Sequence, residues 1–343
     1  MRITGTFLDE ISFDIPHHNW GYAEWDHDFS AMKAMGIKRV FLIRAASGNF
    51  LTYPSKVIPA FGGIYHTPPV DLIDLFLELA EKHDMEFYAG TVHGHPGNCV
   101  DWTEKIFQDE AHFNEEIIGE LQERYGHRRA FAGWYLTHEV CANHPGVIEL
   151  FIRQGQFAKK ISGNKPTMIS PYFAGFKAKE AVMDDDTVQL TVEEHARHWD
   201  RIFAALAGSV DYVAFQDGHV GYHELADYLA VTRQLANRHG IGCWSNIESF
   251  DRDMPIRFMP IKWEKFLWKM ESAEAAGITE GITFEFSHFM SPNSMYRSAA
   301  GLFDQYCRHC GLPARSTDFL PGGHSEEPAA ARRHRSKRPV FYR

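Results

Sequence analysis

Eight short apolar runs alternate with eight stretches of helical periodicity along this chain. Few folds satisfy that order. Strand 1 spans about 2–8 and is followed by the helix WDHDFSAMKAMG; strand 2 is KRVFLIRA (38–45), with VDLIDLFLELAEKHD (70–84) after it. Strand 3, MEFYAGTV (85–92), leads through HGHPGN to a helix beginning near Asp101. Strand 4, FAGWYLTHE, precedes GVIELFIRQGQFAKKISG, and strand 5, PTMISPYF (166–173), precedes a helix near 191–207. DYVAFQD (211–217), IGCWSNIE (241–248) and GITFEFS (281–287) are strands 6 to 8, with the last helix ending near Cys310. Gly36, Gly163, Gly240 and Gly277 each stop a periodic stretch just before the next strand. Repeated strand-then-helix order implies a parallel sheet, and eight units imply closure, so the fold class is α/β and the architecture a single-domain (β/α)8 barrel. An open doubly wound sheet is disfavoured because no G-x-G-x-x-G or phosphate-binding loop follows strand 1.

Residues 1–313 form the expected barrel. Residues 314–343 are rich in Pro, Gly, Ser and charge and read as a flexible tail. Its RRHRSKR run sits on a chain of net charge −10, with 35 basic and 45 acidic residues, which argues against nucleic acid or an anionic membrane as partner. No apolar run is long enough to span a bilayer. MRITGTFLDEISFD lacks the form of a secretory signal. Five scattered cysteines read as reduced thiols, so a cytoplasmic location is expected. Cys307-x-x-Cys310 falls late in a helix without a second pair for zinc. Trp263 and Trp268 read as exposed aromatic helix faces through which a homodimer could form.

The loops after strands (46–69, 93–101, 174–190 and 249–261) are longer than those before them, which places the functional face at the strand C-termini. Four strand ends there carry acids: Asp9 or Glu10, Glu139, Glu248 and Glu285. A carboxylate at the rim of an apolar core needs a partner or a chemical role. Strands 4 and 7 lie across the barrel mouth from one another, so Glu139 and Glu248 can converge. Two converging carboxylates are the apparatus of glycoside hydrolysis, one protonating the leaving oxygen while the other attacks C1 or activates water. Asp9, Arg44, His93, His138, Tyr172, Gln216, Asp217, Trp244, Asn246, Glu285 and His288 are the expected carbohydrate-binding residues around them, Trp244 as a stacking platform. No cofactor and no metal is expected. The rival reading is a divalent-metal sugar isomerase or epimerase using His93, His95, His138, Asp217, Glu248 and Glu285. A non-catalytic carbohydrate-binding barrel is a third.

ITGTFLDE, Tyr53-Pro54-Ser55, GWYLTHE, ISPYF, FQDG and WSNIESF, in this order, resemble one family. It is the glycoside-hydrolase-like barrel family catalogued as domain of unknown function 4434, and the similarity runs from about 3 to 312. The resemblance implies a barrel related to the clan A glycosidases, with Glu139 as acid/base, Glu248 as nucleophile and a retaining mechanism. Clan A enzymes usually carry Asn before the acid/base and use it on the sugar 2-hydroxyl, whereas this chain carries His138.

Overall fold

The structure, a computed structural model, describes residues 1–12, 14–62, 64–66, 68–93, 104–144, 146–177, 189–254 and 258–314. Eight strands close into one parallel barrel: β1 (Arg2–Leu8), β2 (Arg39–Leu42), β3 (Glu86–Gly90), β4 (Phe131–Leu136), β5 (Thr167–Ile169), β6 (Tyr212–Gln216), β7 (Gly242–Glu248) and β8 (Glu280–Phe284). Neighbours in sequence are neighbours in space, and β8 pairs with β1 to seal the ring.

Each strand is followed by a helix on the outside: α1 (Tyr22–Met35), α2 (Leu72–His83), α3 (Glu104–Tyr125), α4 (Val147–Ile161), α5 (Val192–Leu206), α6 (Leu225–Arg238), α7 (Trp263–Ala275) and α8 (Arg297–Cys310). Local chemistry sets their ends. Asp71 caps α2 by accepting from the Asp74 N–H (3.0 Å), and Thr191 and Glu194 form a capping box on α5. Gly36 takes the left-handed conformation (φ 98°) that ends α1 and turns the chain into β2.

Period-two alternation divides the strand side chains between two cores. Phe7, Phe41, Ile43, Tyr88, Tyr135, Met168, Ala214, Trp244 and Ile282 fill the barrel interior. Leu8, Val40, Phe87, Trp134, Ile169, Val213 and Ile247 belong to the larger core that also contains the buried faces of the helices. The filled interior makes the barrel a solid support rather than a channel.

The strands end earlier than the apolar runs do. Glu139 lies three residues past the end of β4, in a loop, whereas Glu248 is the last residue of β7. Within the long loops, Ala46–Ser47 pairs with Phe50–Leu51 and Phe250–Asp251 pairs with Met259–Pro260, each as a small antiparallel ribbon. The second ribbon is anchored by Lys265, whose ammonium donates to both oxygens of Asp251 (2.9 and 2.8 Å).

Trp263 and Trp268 are not exposed platforms but half-buried. Trp263 packs on Phe266 and His309, and Trp268 on Tyr222. Among the described residues no helix is long and apolar enough to cross a membrane. The tail expected over 314–343 lies, apart from its first residue, outside the described residues.

Candidate active site

A cleft of about 310 Å³ opens at the C-terminal ends of the strands. Its floor is the top of the interior core, with Phe7, Ile43 and Tyr135 under it. Both Glu139 and Glu248 line it. Of the other residues expected to bind sugar, Arg44, His93, Tyr172, Gln216 and Asn246 line it too.

The two glutamates sit in opposite electrostatic settings. Arg252 donates through Nε to Glu248 Oε2 (2.7 Å) and through Nη2 to Oε1 (2.7 Å), a bidentate pair whose members both face the cleft. Burial pushes the Glu248 carboxyl upward, but the bonded Arg252 guanidinium, then Lys269 and His219, outweigh it and hold the group at about 2. Among the described residues Glu139 has no such bonded cation. Burial lifts its carboxyl above the ordinary value, and the charges of Arg44 and Arg252 with a hydrogen bond from Gln216 reverse only part of that. One cleft therefore holds a carboxylate kept ionised beside a carboxyl biased toward its protonated form.

The backbone of Glu248 is fixed from behind. Asp217 Oδ1 accepts from the Glu248 N–H (3.2 Å) and from the Lys269 ammonium (2.6 Å), and that ammonium also donates to the Glu248 carbonyl (3.2 Å). Burial pushes the Asp217 carboxyl up to about 6 despite Lys269, with the Glu248 charge adding to the rise. Gly218 lies against the pair so closely that a Cβ there would meet Glu248 Oε2 at 2.0 Å and Arg252 Nε at 2.2 Å. Gln216 and Asn246, register partners on β6 and β7, continue the wall below; Gln216 Nε2 donates to the Ser170 carbonyl (2.9 Å) and Asn246 Nδ2 to Ser170 Oγ (3.0 Å).

Six expected sugar contacts do not line the cleft, each for a local reason. Asp217 is the buried support just described. Trp244 faces inward as its parity demands, but at the other end of the barrel, stacked on Tyr212 (centroids 4.2 Å apart) under the Arg39 guanidinium (5.0 Å). Asp9 Oδ1 closes the turn after β1 by accepting from the N–H groups of Ile11 (3.0 Å) and Ser12 (2.9 Å).

Glu285 caps the short helix Phe286–Phe289, accepting from the Ser287 and His288 N–H groups and from the His288 ring. His288 Nε2 in turn bonds the Pro16 carbonyl (2.8 Å); burial lowers its pKa, but Glu285 overrides this and raises it to about 9. His138 points toward α3, with Nδ1 on Glu110 (2.9 and 3.0 Å). His93 is the histidine that reaches the cleft there, 4.5 Å from the His138 ring; burial, then His138 and Arg44, push its pKa well below the usual value.

Of the ligand set of the metal reading, His138, Asp217, Glu248 and Glu285 are each engaged by the contacts above, and His95 lies outside the described residues. Among the described residues, the three potential ligands that do approach within 4.8 Å of one another are Glu10, His18 and His288. Their ring nitrogens are already bonded: His18 Nδ1 to Glu10 (2.6 Å), His18 Nε2 to the Ser287 carbonyl (3.2 Å) and His288 as above.

Sequence reasoning missed Arg252 and His219, both on the cleft wall. The signal for Arg252 was present in ESFDR, a cation four residues after an acidic strand end. Recognising it required knowing that the chain folds back there into a ribbon.

Comparison with known proteins bears on these features. The family described as domain of unknown function (DUF4434) matches residues 3–296. Among solved structures, a protein from Bacteroides thetaiotaomicron VPI-5482, provisionally assigned as an alpha-L-fucosidase, is 44% identical, with 91% of this chain and 94% of that one covered and a TM-score of 0.83. The endo-1,4-beta-D-mannanase of Thermotoga petrophila RKU-1 shares the fold at 11% identity, 83% and 88% coverage and a TM-score of 0.54. So does the beta-galactosidase of Marinomonas ef1, at 12% identity, 92% and 61% coverage and a TM-score of 0.54. Among curated proteins none matches. With nearly the whole barrel inside the family match and a relative at this identity, the chain belongs to the DUF4434 family.

Proposed function

We propose that this chain is a retaining glycoside hydrolase acting on a small glycoside, with Glu248 as nucleophile and Glu139 as acid/base. The observation that carries the reading is the opposed bias of two glutamates sharing one cleft, since such chemistry needs one ionised and one protonated carboxyl at the same pH. The Glu248 carboxylate attacks C1 as the bond from C1 to the leaving oxygen breaks, and the Glu139 proton passes to that oxygen. Water then attacks C1 of the glycosyl-enzyme while Glu139, now ionised, takes its proton and Glu248 departs. Arg252 keeps Glu248 ionised and in one rotamer, and the Gln216 amide orients Glu139.

The cleft volume lies at the low end of the roughly 300–1,000 Å³ range of small-molecule pockets, which suits one or two sugar units rather than a long polymer chain. The provisional assignment of the 44%-identical relative makes alpha-L-fucosides the first class to test.

A screen of aryl and natural glycosides, with NMR following the first anomer released, tests the proposal. Release of product with the substrate's anomeric configuration is expected. Inversion, or no hydrolysis of any glycoside, overturns it.

Gly218→Ala is expected to lower kcat by about 10²-fold or more, because displacing a reacting group by about 1 Å has that cost, and to lower the thermal midpoint as well, because the methyl overpacks a buried ion pair at a cost of about 1–3 kcal/mol. The position has no left-handed backbone requirement, so the added methyl acts only on the Glu248–Arg252 pair it would strike. Unchanged kcat in a folded variant would remove the pair from the mechanism.

A further inference from the structure

His219 follows Gly218 in the loop after β6, lines the cleft and is only 7% exposed. Neither ring nitrogen meets a described residue with full hydrogen-bond geometry, although both are shielded from solvent; the Phe173 backbone offers the ring only a weak polar contact. Its backbone is held, the carbonyl accepting from the Lys177 N–H (3.1 Å), and its ring meets Tyr172 edge-on with centroids 5.2 Å apart. Leaving two buried polar atoms without a full hydrogen bond costs stability, so a side chain fixed in this way points to a partner that arrives from outside.

We propose that His219 binds the hydroxyl on the sugar carbon adjacent to the anomeric carbon, the 2-hydroxyl, while the glycosyl group passes to Glu248. The inference rests on the hydrolase reading above. The preceding residue is packed on the Glu248 carboxylate, so the imidazole stands beside the nucleophile. A group beside the nucleophile that attacks C1 faces the substituent of the neighbouring carbon. Burial, then the Arg252 charge, lowers the His219 pKa to about 4, leaving a neutral ring with one donor and one acceptor nitrogen. A sugar hydroxyl both donates and accepts, which is the complement of such a ring. Hydrogen bonds to the 2-hydroxyl strengthen toward the oxocarbenium-like transition state, so the contact acts on kcat more than on KM.

The test compares wild type, His219→Ala and His219→Asn on the aryl glycoside hydrolysed fastest in the screen and on its 2-deoxy counterpart. His219→Ala is expected to lower kcat/KM on the parent glycoside by about 10- to 100-fold, mainly in kcat, and on the 2-deoxy substrate by less than about 3-fold. His219→Asn, which keeps a donor and an acceptor, is expected to recover part of the loss, and it carries the comparison if the alanine variant does not fold. Equal losses on both substrates in a folded variant overturn the 2-hydroxyl assignment and leave the hydrolase reading standing. A wild-type protein that hydrolyses no glycoside overturns that reading and this inference with it.

Discussion

Glu248→Ala is expected to lower kcat/KM on an aryl glycoside by at least about 10⁴-fold, because loss of a covalent nucleophile leaves only binding and the remaining polar groups to act. Added azide should then restore turnover as a glycosyl azide whose anomeric configuration is opposite to that of the substrate. The alanine leaves a carboxylate-sized space beside C1, and Arg252, deprived of its bidentate partner, supplies a cation to an entering anion. Breaking the buried pair is expected to cost about 3 kcal/mol of stability, which a calorimetric scan reads separately from activity. If the folded variant keeps a tenth of wild-type turnover, Glu248 is not the nucleophile. If azide yields the configuration of the substrate, the two glutamates have exchanged roles.

Glu139→Gln is expected to cost about 10²–10⁴-fold on natural glycosides, the usual range for a general acid–base group, and much less on an aryl glycoside whose leaving group needs no proton. The pH profile supplies the sharper reading. Glu139 must be protonated for the first step and its pKa is raised, so activity falls as pH climbs through that raised value. Glu248 must be ionised and is held at about 2, so the acidic loss comes only as pH drops through that region. Between them lies a plateau in kcat/KM. With glutamine at position 139 the alkaline fall should disappear while the acidic one stays. An alkaline limb that persists in Glu139→Gln belongs to another group and ends the assignment.

Arg252 is the element on which both results turn, and it marks where the sequence runs out. The alternation of apolar runs and helical stretches sufficed for the closed barrel, because a period-two strand followed repeatedly by a 3.6-period helix leaves parallel pairing as the way to bury both. The same periodicity put Trp244, Asn246 and Glu248 on the inner face of β7. It could not say how deep each lies: Trp244, four residues before Glu248, sits roughly 13 Å lower at about 3.3 Å per residue and packs in the opposite end of the barrel.

Nor could sequence say which acids are already engaged. Asp9, through Oδ1, and Glu285 are engaged by turns within three residues of themselves, a chemistry visible in principle from local motifs. His138 and Asp217 are claimed by partners far along the chain, Glu110 at 28 residues and Lys269 at 52. Periodicity is a property of neighbours in sequence and therefore settles which face a residue occupies. The charge it carries and the cleft it reaches depend on groups that only the closure of the barrel brings beside it, as Arg252 and Gly218 are brought to Glu248.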